Sequence, residues 1–268
     1  MLQIQRPDVF QIAEAYESYV GRWSRPVAAA FVDWLALPGG GRWLDVGCGT
    51  GALTEIILSH AAPAGVTGID SSDGFIAHAR RHVRDPRANF ESGSAEVLPF
   101  PDGTFDAAVS GLALNFIARP EAAIAEMRRT LRAGGTAAVY VWDYAGKMQL
   151  MRYFWDSAVA LDPDALSLNE ARRFSICKPE PLLSLFEASG FGRCECRAID
   201  VPTAFASFDD YWSPFLGGQG SAPTYCSSLS DRQRSRLRDH LRAALPIQRD
   251  GSIRLMARAW AVRGVKSG

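Results

Sequence analysis

The sequence predicts an α/β protein built on a doubly wound, mostly parallel sheet. Three observations carry that prediction. Short apolar runs alternate with segments of helical periodicity between residues 40 and 145, the pattern of helices layered on both faces of a sheet. One run, "FDAAVSGLAL" at 105–114, is apolar without alternation, as a strand buried on both faces must be. The stretch "WLDVGCGTGAL" at 43–53 passes from an apolar run through Gly47, Gly49 and Gly51 into a helix. Such a strand–loop–helix junction lets a ligand approach backbone closely.

The elements follow in order. The first forty residues read as helical. In "RPVAAAFVDWLAL", Ala29, Val32 and Leu35 share one stripe, with Phe31 and Trp34 beside it, and "PGGG" at 38–41 ends the helix. "RWLDVG" is a short buried strand and "TGALTEIILSHAA" a helix. "GVTGID" at 65–70 is a second strand, "SDGFIAHARRHV" a helix, "ANFESG" a third strand and 105–114 a fourth. Helix 120–132 starts with Pro120 at the favoured first position and stripes Ile124, Met127 and Leu131. Its Arg128, Arg129 and Arg132 suit the C-terminal dipole, and Gly134 caps it. "GTAAVYVW" is a fifth strand. Beyond Asp143 the rhythm changes: 146–177 reads as mainly helical and "PEPLLSLFEASGF" as a helix. "GRCECRAIDV" reads as a strand, and 205–250 as an irregular aromatic insertion. That insertion holds a helix at 231–245, entered by the capping box Ser230 to Gln233. "SIRLMARAWAV" is the last strand.

Composition narrows the function classes. The 268 residues fit one domain spanning 1–268, and 47% hydrophobic residues support a proper core. The 29 basic residues balance 29 acidic ones, which argues against a dedicated nucleic-acid partner. No apolar run is long enough to span a membrane, and the N-terminus lacks the apolar core of a signal peptide. Cys48, Cys177, Cys194, Cys196 and Cys226 are scattered and include no CxxC pair. They read as reduced thiols of a cytoplasmic protein without a structural zinc, and no metal site is expected.

Gly47, Gly49 and Ala52 satisfy the spacing G-x-G-x-x-G/A of dinucleotide sites, whereas no Gly-Lys-Ser/Thr follows to make a phosphate loop. Asp70, at the end of the second strand, is placed to accept both hydroxyls of an adenosine ribose. That acid suits a nicotinamide dinucleotide and an adenosyl sulfonium equally. Its plain alternative is a helix N-cap, for which Ser71 and Ser72 compete.

The segment "GSAEVLPFPDGTFDAAVSGLALNF" at 93–116 separates the two cofactors. Together with "LDVGCGTG", "GID" and "EMRRTLRAGGTAAV", it resembles the class I S-adenosylmethionine-dependent methyltransferases. Within them, the likeness is to the group that includes quinone-biosynthesis C-methyltransferases and many small-molecule methyltransferases. It covers residues 40–145, and a nicotinamide enzyme is not expected to carry "LPFPDGTFD" there. "YESYVGRWSRP" and "DGSIRLMARAWAVRG" look like uncharacterised bacterial members of the same group.

The resemblance implies a Rossmann-like, seven-stranded sheet with an antiparallel last strand and helical cap insertions. It divides the chain into an N-terminal helical cap (1–37), a cofactor-binding core (40–145) and substrate-cap insertions (146–177 and 205–250). It implies that Asp45 and the backbone of Gly47, Gly49 and Gly51 surround the methionine part of the cofactor, with Asp45 pairing its ammonium. Asp70 binds the ribose and Ser71 neighbours the adenine. Ser94, Ala95 and Glu96 stand where the family has a segment like "DAE" against the adenine. Serine at 94 loses the charge assistance of an aspartate there, so weaker cofactor binding is expected. Tyr16, Tyr19 and Arg22 are expected to close over the site, Arg22 toward the cofactor carboxylate, unless it is a plain surface arginine.

The sulfonium methyl is already activated, so much of the catalysis can come from holding a nucleophile in line with it in a dry pocket. A general base is useful but not obligatory. "SGLALNF" faces the methyl by resemblance; it lacks both the Asn/Asp-Pro-Pro-aromatic motif of DNA amino methylation and a Pro-Cys nucleophile. Asn115 can orient a substrate, or merely satisfy local backbone, but cannot be a base at neutral pH. His60, His78, His82 and His240 read as structural or surface groups. Cys194 and Cys196 share a strand face, which alone rarely makes a thiol site. Trp142, Asp143, Trp155, Phe174, Tyr211, Trp212 and Phe215 are candidates for the substrate wall, against the alternative that they seal a core. Asp143 is the candidate base, against a role in the turn before Gly146. The arginines of 232–242 read as a solvated face.

The sequence therefore reads as an enzyme that moves a methyl group from S-adenosylmethionine to a small, partly apolar or aromatic metabolite, leaving S-adenosylhomocysteine. The acceptor atom and oligomeric state stay open. The alternatives are a non-catalytic cofactor-binding partner protein and a protein or RNA methyltransferase.

Overall fold

A computed structural model describes residues 21–217 and 220–268. The described residues divide into two compact units, a sheet unit (24–142, 176–199 and 259–268) and a helical unit (21–23, 143–175, 200–217 and 220–258).

The sheet unit holds α1 (Arg22–Leu35, but for its first turn), β1 (Arg42–Val46), α2 (Ala52–His60), β2 (Gly65–Asp70), α3 (Asp73–His82) and β3 (Ala88–Ser92). Then come β4 (Phe105–Gly111), a 3-10 turn (Leu114–Phe116), α4 (Pro120–Thr130), β5 (Leu131–Trp142) and α7 (Pro179–Ala188). Two long strands complete it, β6 (Phe191–Phe205) and β7 (Ile253–Lys266), each of which runs across the division between units. The strand order is β3-β2-β1-β4-β5-β7-β6. β1 pairs in parallel with β2 and β4, and β7 is antiparallel to β5. This is the expected seven-stranded Rossmann-like sheet. The order reverses between β1 and β4, and in such sheets ligands bind outside the carboxyl ends of the strands at that reversal.

The core follows the apolar periodicities. Phe31 and Leu35 of α1, Trp43 and Leu44 of β1 and Ile57 of α2 are buried, and the Phe31 ring lies 4.6 Å from that of Tyr140. Several element ends differ from the sequence reading: the helix read as 120–132 ends at Thr130 with Leu131, not Gly134, as its cap, β5 therefore starts at Leu131, and β6 runs on to Phe205. β4 stops at Gly111 because Leu112 turns to φ 59° and starts the 3-10 turn. β7 continues past Val262 because β5 offers it partners as far as Thr136↔Val265, and the Lys266 Nζ donates to the Leu131 carbonyl at 2.7 Å.

Arg129 does more than complement a dipole. Its guanidinium donates to the carbonyls of Leu98 (2.9 Å) and Phe100 (2.7 Å) and to the carboxylates of Asp102 (2.7 Å) and Glu126 (2.7 Å). Glu126 in turn accepts from the Leu98 amide at 2.7 Å. One arginine thus staples the loop "LPFPD" to α4. Arg129→Met leaves those acceptors unpaired, and we expect it to lower the unfolding free energy by about 2 kcal/mol. Urea denaturation of the two proteins checks this; an unchanged midpoint and slope would refute the staple.

The helical unit contains α5 (Gln149–Leu161), a 3-10 segment (Pro163–Leu168), α6 (Glu170–Arg173) and α8 (Phe208–Trp212). A second 3-10 segment (Ser213–Leu216), α9 (Ser221–Ser228) and α10 (Asp231–Ala244) follow. Residues 205–250, expected to be irregular apart from one helix, are mainly helical. Ser207 caps α8, and Phe208, Tyr211, Trp212 and Phe215 recur at i, i+3, i+4 and i+7, so one apolar face turns inward. The Ser230–Gln233 capping box opens α10 as expected.

Four of the candidates for a substrate wall, Trp155, Tyr211, Trp212 and Phe215, take the alternative role of sealing this unit's interior. The Trp155 indole donates to buried Glu170, and the Tyr211 hydroxyl donates to the Leu150 carbonyl at 2.9 Å. The Phe215 ring stacks on Phe154 at 4.4 Å and packs 6.1 Å from Trp212. All four are buried, and Trp155 and Tyr211 also have satisfied polar tips.

Candidate functional site

The glycine loop grows out of β1. Its Gly47 and Cys48 amides both donate to the Ile69 carbonyl of β2, at 2.7 and 3.1 Å, which folds the chain sharply back. Gly47 has φ 71°, and a Cβ there would meet the Ala113 Cβ at 2.5 Å, so no larger residue fits. Gly49 also has positive φ, yet a Cβ on it would meet nothing within 4 Å. The first glycine is demanded by packing; the second presents bare backbone to open space, where a ligand can lie against it.

Asp70 ends β2. One carboxylate oxygen accepts from the Gly49 amide at 3.0 Å and the other from the Ser72 amide at 2.9 Å. Ser72, not Asp70, caps α3, its hydroxyl accepting from the Phe75 amide at 3.3 Å. Burial pushes the Asp70 carboxyl up, and the amides of Ser72, Gly49 and Ser71 offset part of that rise. Each oxygen keeps a lone pair beyond its amide, as a vicinal diol requires. Ser71, beside it, is exposed.

Asp45 lies one strand over and is fully buried. One oxygen accepts from the Thr54 hydroxyl of α2 at 2.7 Å; the other has no partner. Burial lifts the carboxyl to about 7; the Thr54 hydroxyl opposes the rise and the charge of Asp70 adds to it. A carboxylate held in this way awaits a cationic donor.

A pattern unites the centre of the sheet unit. Its buried side-chain polar atoms without a partner are Asp45 Oδ1, Ser110 Oγ, Asn115 Nδ2 and Trp142 Nε1. They belong to β1, β4, the turn after β4 and the last residue of β5. Native interiors leave few such atoms, and each calls for an explanation. These four lie toward the carboxyl ends of β1, β4 and β5, at or next to the order reversal, where ligands bind in such sheets. Ser110 was not singled out from the sequence; its signal is a lone hydroxyl within the apolar run of β4.

The remaining expected site residues distribute as follows. Ser94 is exposed and its hydroxyl accepts from the Glu96 amide at 3.2 Å; Ala95 is half-buried beside it. Glu96 is not free for a ligand, because the Arg119 guanidinium and amide hold its two oxygens at 2.8 and 2.9 Å and keep it below the usual carboxylate range. Arg22 is likewise committed elsewhere: it pairs with Asp210 at 2.9 Å and lies over the rings of Trp23 and Phe205. Asp143 builds its turn, its carboxylate accepting from the Lys147 amide at 2.9 Å and its carbonyl from Gly146 and Met148. This is the turn role that the sequence offers as the alternative to a base. Phe174 is half-buried, 5.9 Å from the Tyr144 ring. Tyr16 and Tyr19 lie outside the described residues.

Other chemistries find little footing. Burial pushes the thiols of Cys194 and Cys196 up, away from thiolate reactivity. His60 contacts Asp33 at 3.0 Å, and His82 bonds the His78 carbonyl at 2.8 Å. Among the described residues no group of three or more His, Cys, Asp or Glu side chains is placed to hold a metal ion, and no helix is long and apolar enough to cross a membrane.

Comparison with known proteins gives this geometry its context. Residues 44–139 match the family described as a methyltransferase domain. The chain is 35% identical over 135 residues to demethylmenaquinone methyltransferase of Symbiobacterium thermophilum, covering 47% of this chain and 53% of that protein. It is 28% identical over 192 residues to the ubiquinone/menaquinone biosynthesis C-methyltransferase of Paracoccus denitrificans, covering 65% and 76%. The former alignment thus spans about half of that relative's length. Among solved structures, the YcgJ protein of Bacillus subtilis superposes with a TM-score of 0.60 at 18% identity, over 91% of this chain and 99% of that one.

Proposed function

We propose that this chain, which belongs to the class I S-adenosylmethionine-dependent methyltransferases, transfers the sulfonium methyl group to a small metabolite by in-line displacement. The observation that carries the reading is the unpartnered oxygen of buried Asp45, beneath a glycine loop whose neighbouring strand ends in Asp70. These residues fit the cofactor. Asp45 meets its ammonium, the bare Gly49 backbone lies against its amino-acid portion, Asp70 accepts its ribose hydroxyls, and Ser71, Ser94 and Ala95 border its adenine. Bound there, the cofactor supplies an electrophilic methyl carbon.

The chain's own work is then positional. Asp45 and Asp70 anchor the two ends of the cofactor. The apolar ends of β4 and β5, with Leu112, Leu114 and Trp142 buried, exclude water from the region between. Asn115 orients the acceptor and takes no proton. The names of the quinone methyltransferase relatives favour a small, partly apolar acceptor over protein or RNA.

The test uses methyl-tritiated S-adenosylmethionine, purified protein and extract of the source cells. Label is counted separately in small molecules, protein and nucleic acid. Label in the small-molecule fraction supports the reading and yields the product for identification. Label in protein or nucleic acid overturns the substrate class. No label despite cofactor binding moves the conclusion to a non-catalytic binding protein.

A further inference from the structure

We infer that Thr54 is a positioning residue for the cofactor site: its buried hydroxyl anchors one oxygen of Asp45 and leaves the other, on a charged carboxylate, to receive the cofactor ammonium. This rests on the methyltransferase reading and adds a residue to it.

The argument starts at the first turn of α2, where Thr54 is the third helical residue. The cap residue, Gly51, brings no side chain to the helix start. Such an end leaves amides unsatisfied and favours a negative charge beside it. β1 supplies that charge from nine residues earlier in the chain. The Asp45 carboxylate accepts from the Thr54 hydroxyl at 2.7 Å, and the Thr54 amide adds to the hold. Both side chains are fully buried, so water does not compete for this bond.

A hydroxyl can bond either form of a carboxyl. Bonds to an ionised group are about twice as strong as neutral ones, so Thr54 favours the charged form. It does so where burial disfavours that form. The other neighbours of Asp45 give no help. β2 brings Asp70, whose charge opposes ionisation. The glycine loop brings Cys48, whose thiol is pushed well up by burial and stays neutral. β4 sets the apolar Val109 opposite Asp45 in register. Both influences that favour the carboxylate come from Thr54.

Anchoring also fixes direction. With one oxygen spent on Thr54, the carboxylate does not turn freely, and the other oxygen keeps one position without a partner in the protein. A ligand ammonium then meets a preorganised acceptor and has less rotation to arrest. Packing alone, with Thr54 merely pinning α2 against β1, would weaken binding equally at every pH when the hydroxyl is removed. Control of the charge on Asp45 makes the loss depend on pH.

The test compares wild type, Thr54→Val and Thr54→Ser, with S-adenosylhomocysteine affinity measured by calorimetry across the neutral range. Valine keeps the branched shape and the amide and removes only the hydroxyl. Loss of one charge-assisted bond should make the Asp45 carboxyl about ten-fold harder to ionise. Wild type should then bind more tightly than Thr54→Val by about ten-fold at about pH 6, about five-fold at about pH 7 and less than about two-fold at about pH 8.5. Titration of the ligand ammonium cancels in that ratio. Thr54→Ser should return toward wild type at every pH. Urea melts of the ligand-free proteins give a second readout. Asp45 is raised on folding to about 7, so its stabilising effect fades as pH rises to that value and levels off above it. In Thr54→Val the decline should continue beyond the pH at which the wild type levels. An affinity ratio that stays constant with pH, or equals one throughout, overturns the inference, as do urea curves that level together. If Thr54→Val does not fold, Thr54→Ala carries the same two measurements. Failure of the wild type to bind S-adenosylhomocysteine at all sinks the methyltransferase reading instead, and the urea curves still decide whether Thr54 governs Asp45.

Discussion

Asp70→Ala is expected to weaken S-adenosylhomocysteine binding about 100-fold or more, with labelled methyl transfer falling in step at limiting cofactor. The carboxylate does two jobs. It holds the Gly49 and Ser72 amides, which fixes the glycine loop over β2 and starts α3. On the proposed reading, its remaining lone pairs accept the ribose hydroxyls. Two hydrogen bonds to a charged group contribute about 3 kcal/mol or more together, and that corresponds to about 100-fold in affinity. Asp70→Asn keeps one acceptor oxygen and should lose less, about ten-fold. Calorimetric titration of the three proteins decides the matter, with circular dichroism confirming that each is folded. Wild-type affinity in Asp70→Ala would remove Asp70 from the cofactor site.

The second large effect concerns Asp45 and pH. Its carboxyl is raised from 3.8 to about 7, chiefly by burial. Within that window the folded protein binds a proton that the unfolded chain has released. Stability from this group is therefore greatest at low pH, falls as pH rises from about 4 to about 7, and is level above. The full change is about 4 kcal/mol. Several exposed carboxylates are lowered and act in the opposite sense, among them Asp106 and Asp210, so the comparison must be between wild type and Asp45→Asn. The variant lacks Asp45's slope and should be the more stable of the two above pH 7, by up to that amount. Asp70, raised in the same direction, keeps its own contribution in both proteins.

Cofactor binding should show the converse. Wild-type affinity for S-adenosylhomocysteine should rise between about pH 5.5 and 7.5, as Asp45 ionises to meet the ammonium, and the variant should be weaker and flatter. Urea melts and calorimetry across that range supply both curves. Parallel curves for the two proteins would show that Asp45 does not titrate with the cofactor.

Much of this was legible before any coordinates. Alternating apolar runs gave the sheet, because a strand buried on both faces has no polar positions. Gly47 and Gly49 mark the loop: both take positive φ, and at Gly47 a side chain would also meet Ala113. Asp70 followed from its distance along the chain. These are local facts, fixed by the steric and polar demands of neighbouring residues.

What the sequence left open were choices among partners distant along the chain. Arg22 can serve a cofactor carboxylate or be a plain surface arginine, and Asp210, 188 residues away, pairs with it. Glu96 was assigned to the adenine, and Arg119 claims it. Trp155 and Tyr211 read as a substrate wall, yet Glu170 and the Leu150 carbonyl satisfy their polar tips inside a core. Ser110 went unnoticed because an unpaired hydroxyl is a property of its surroundings. A charged or hydrogen-bonding side chain is specified by type in the sequence, but its role depends on which opposite group reaches it first. Backbone rules therefore indicate the candidate site. Only the tertiary structure decided which polar groups are already spent and which, at the ends of β1, β4 and β5, still need a ligand.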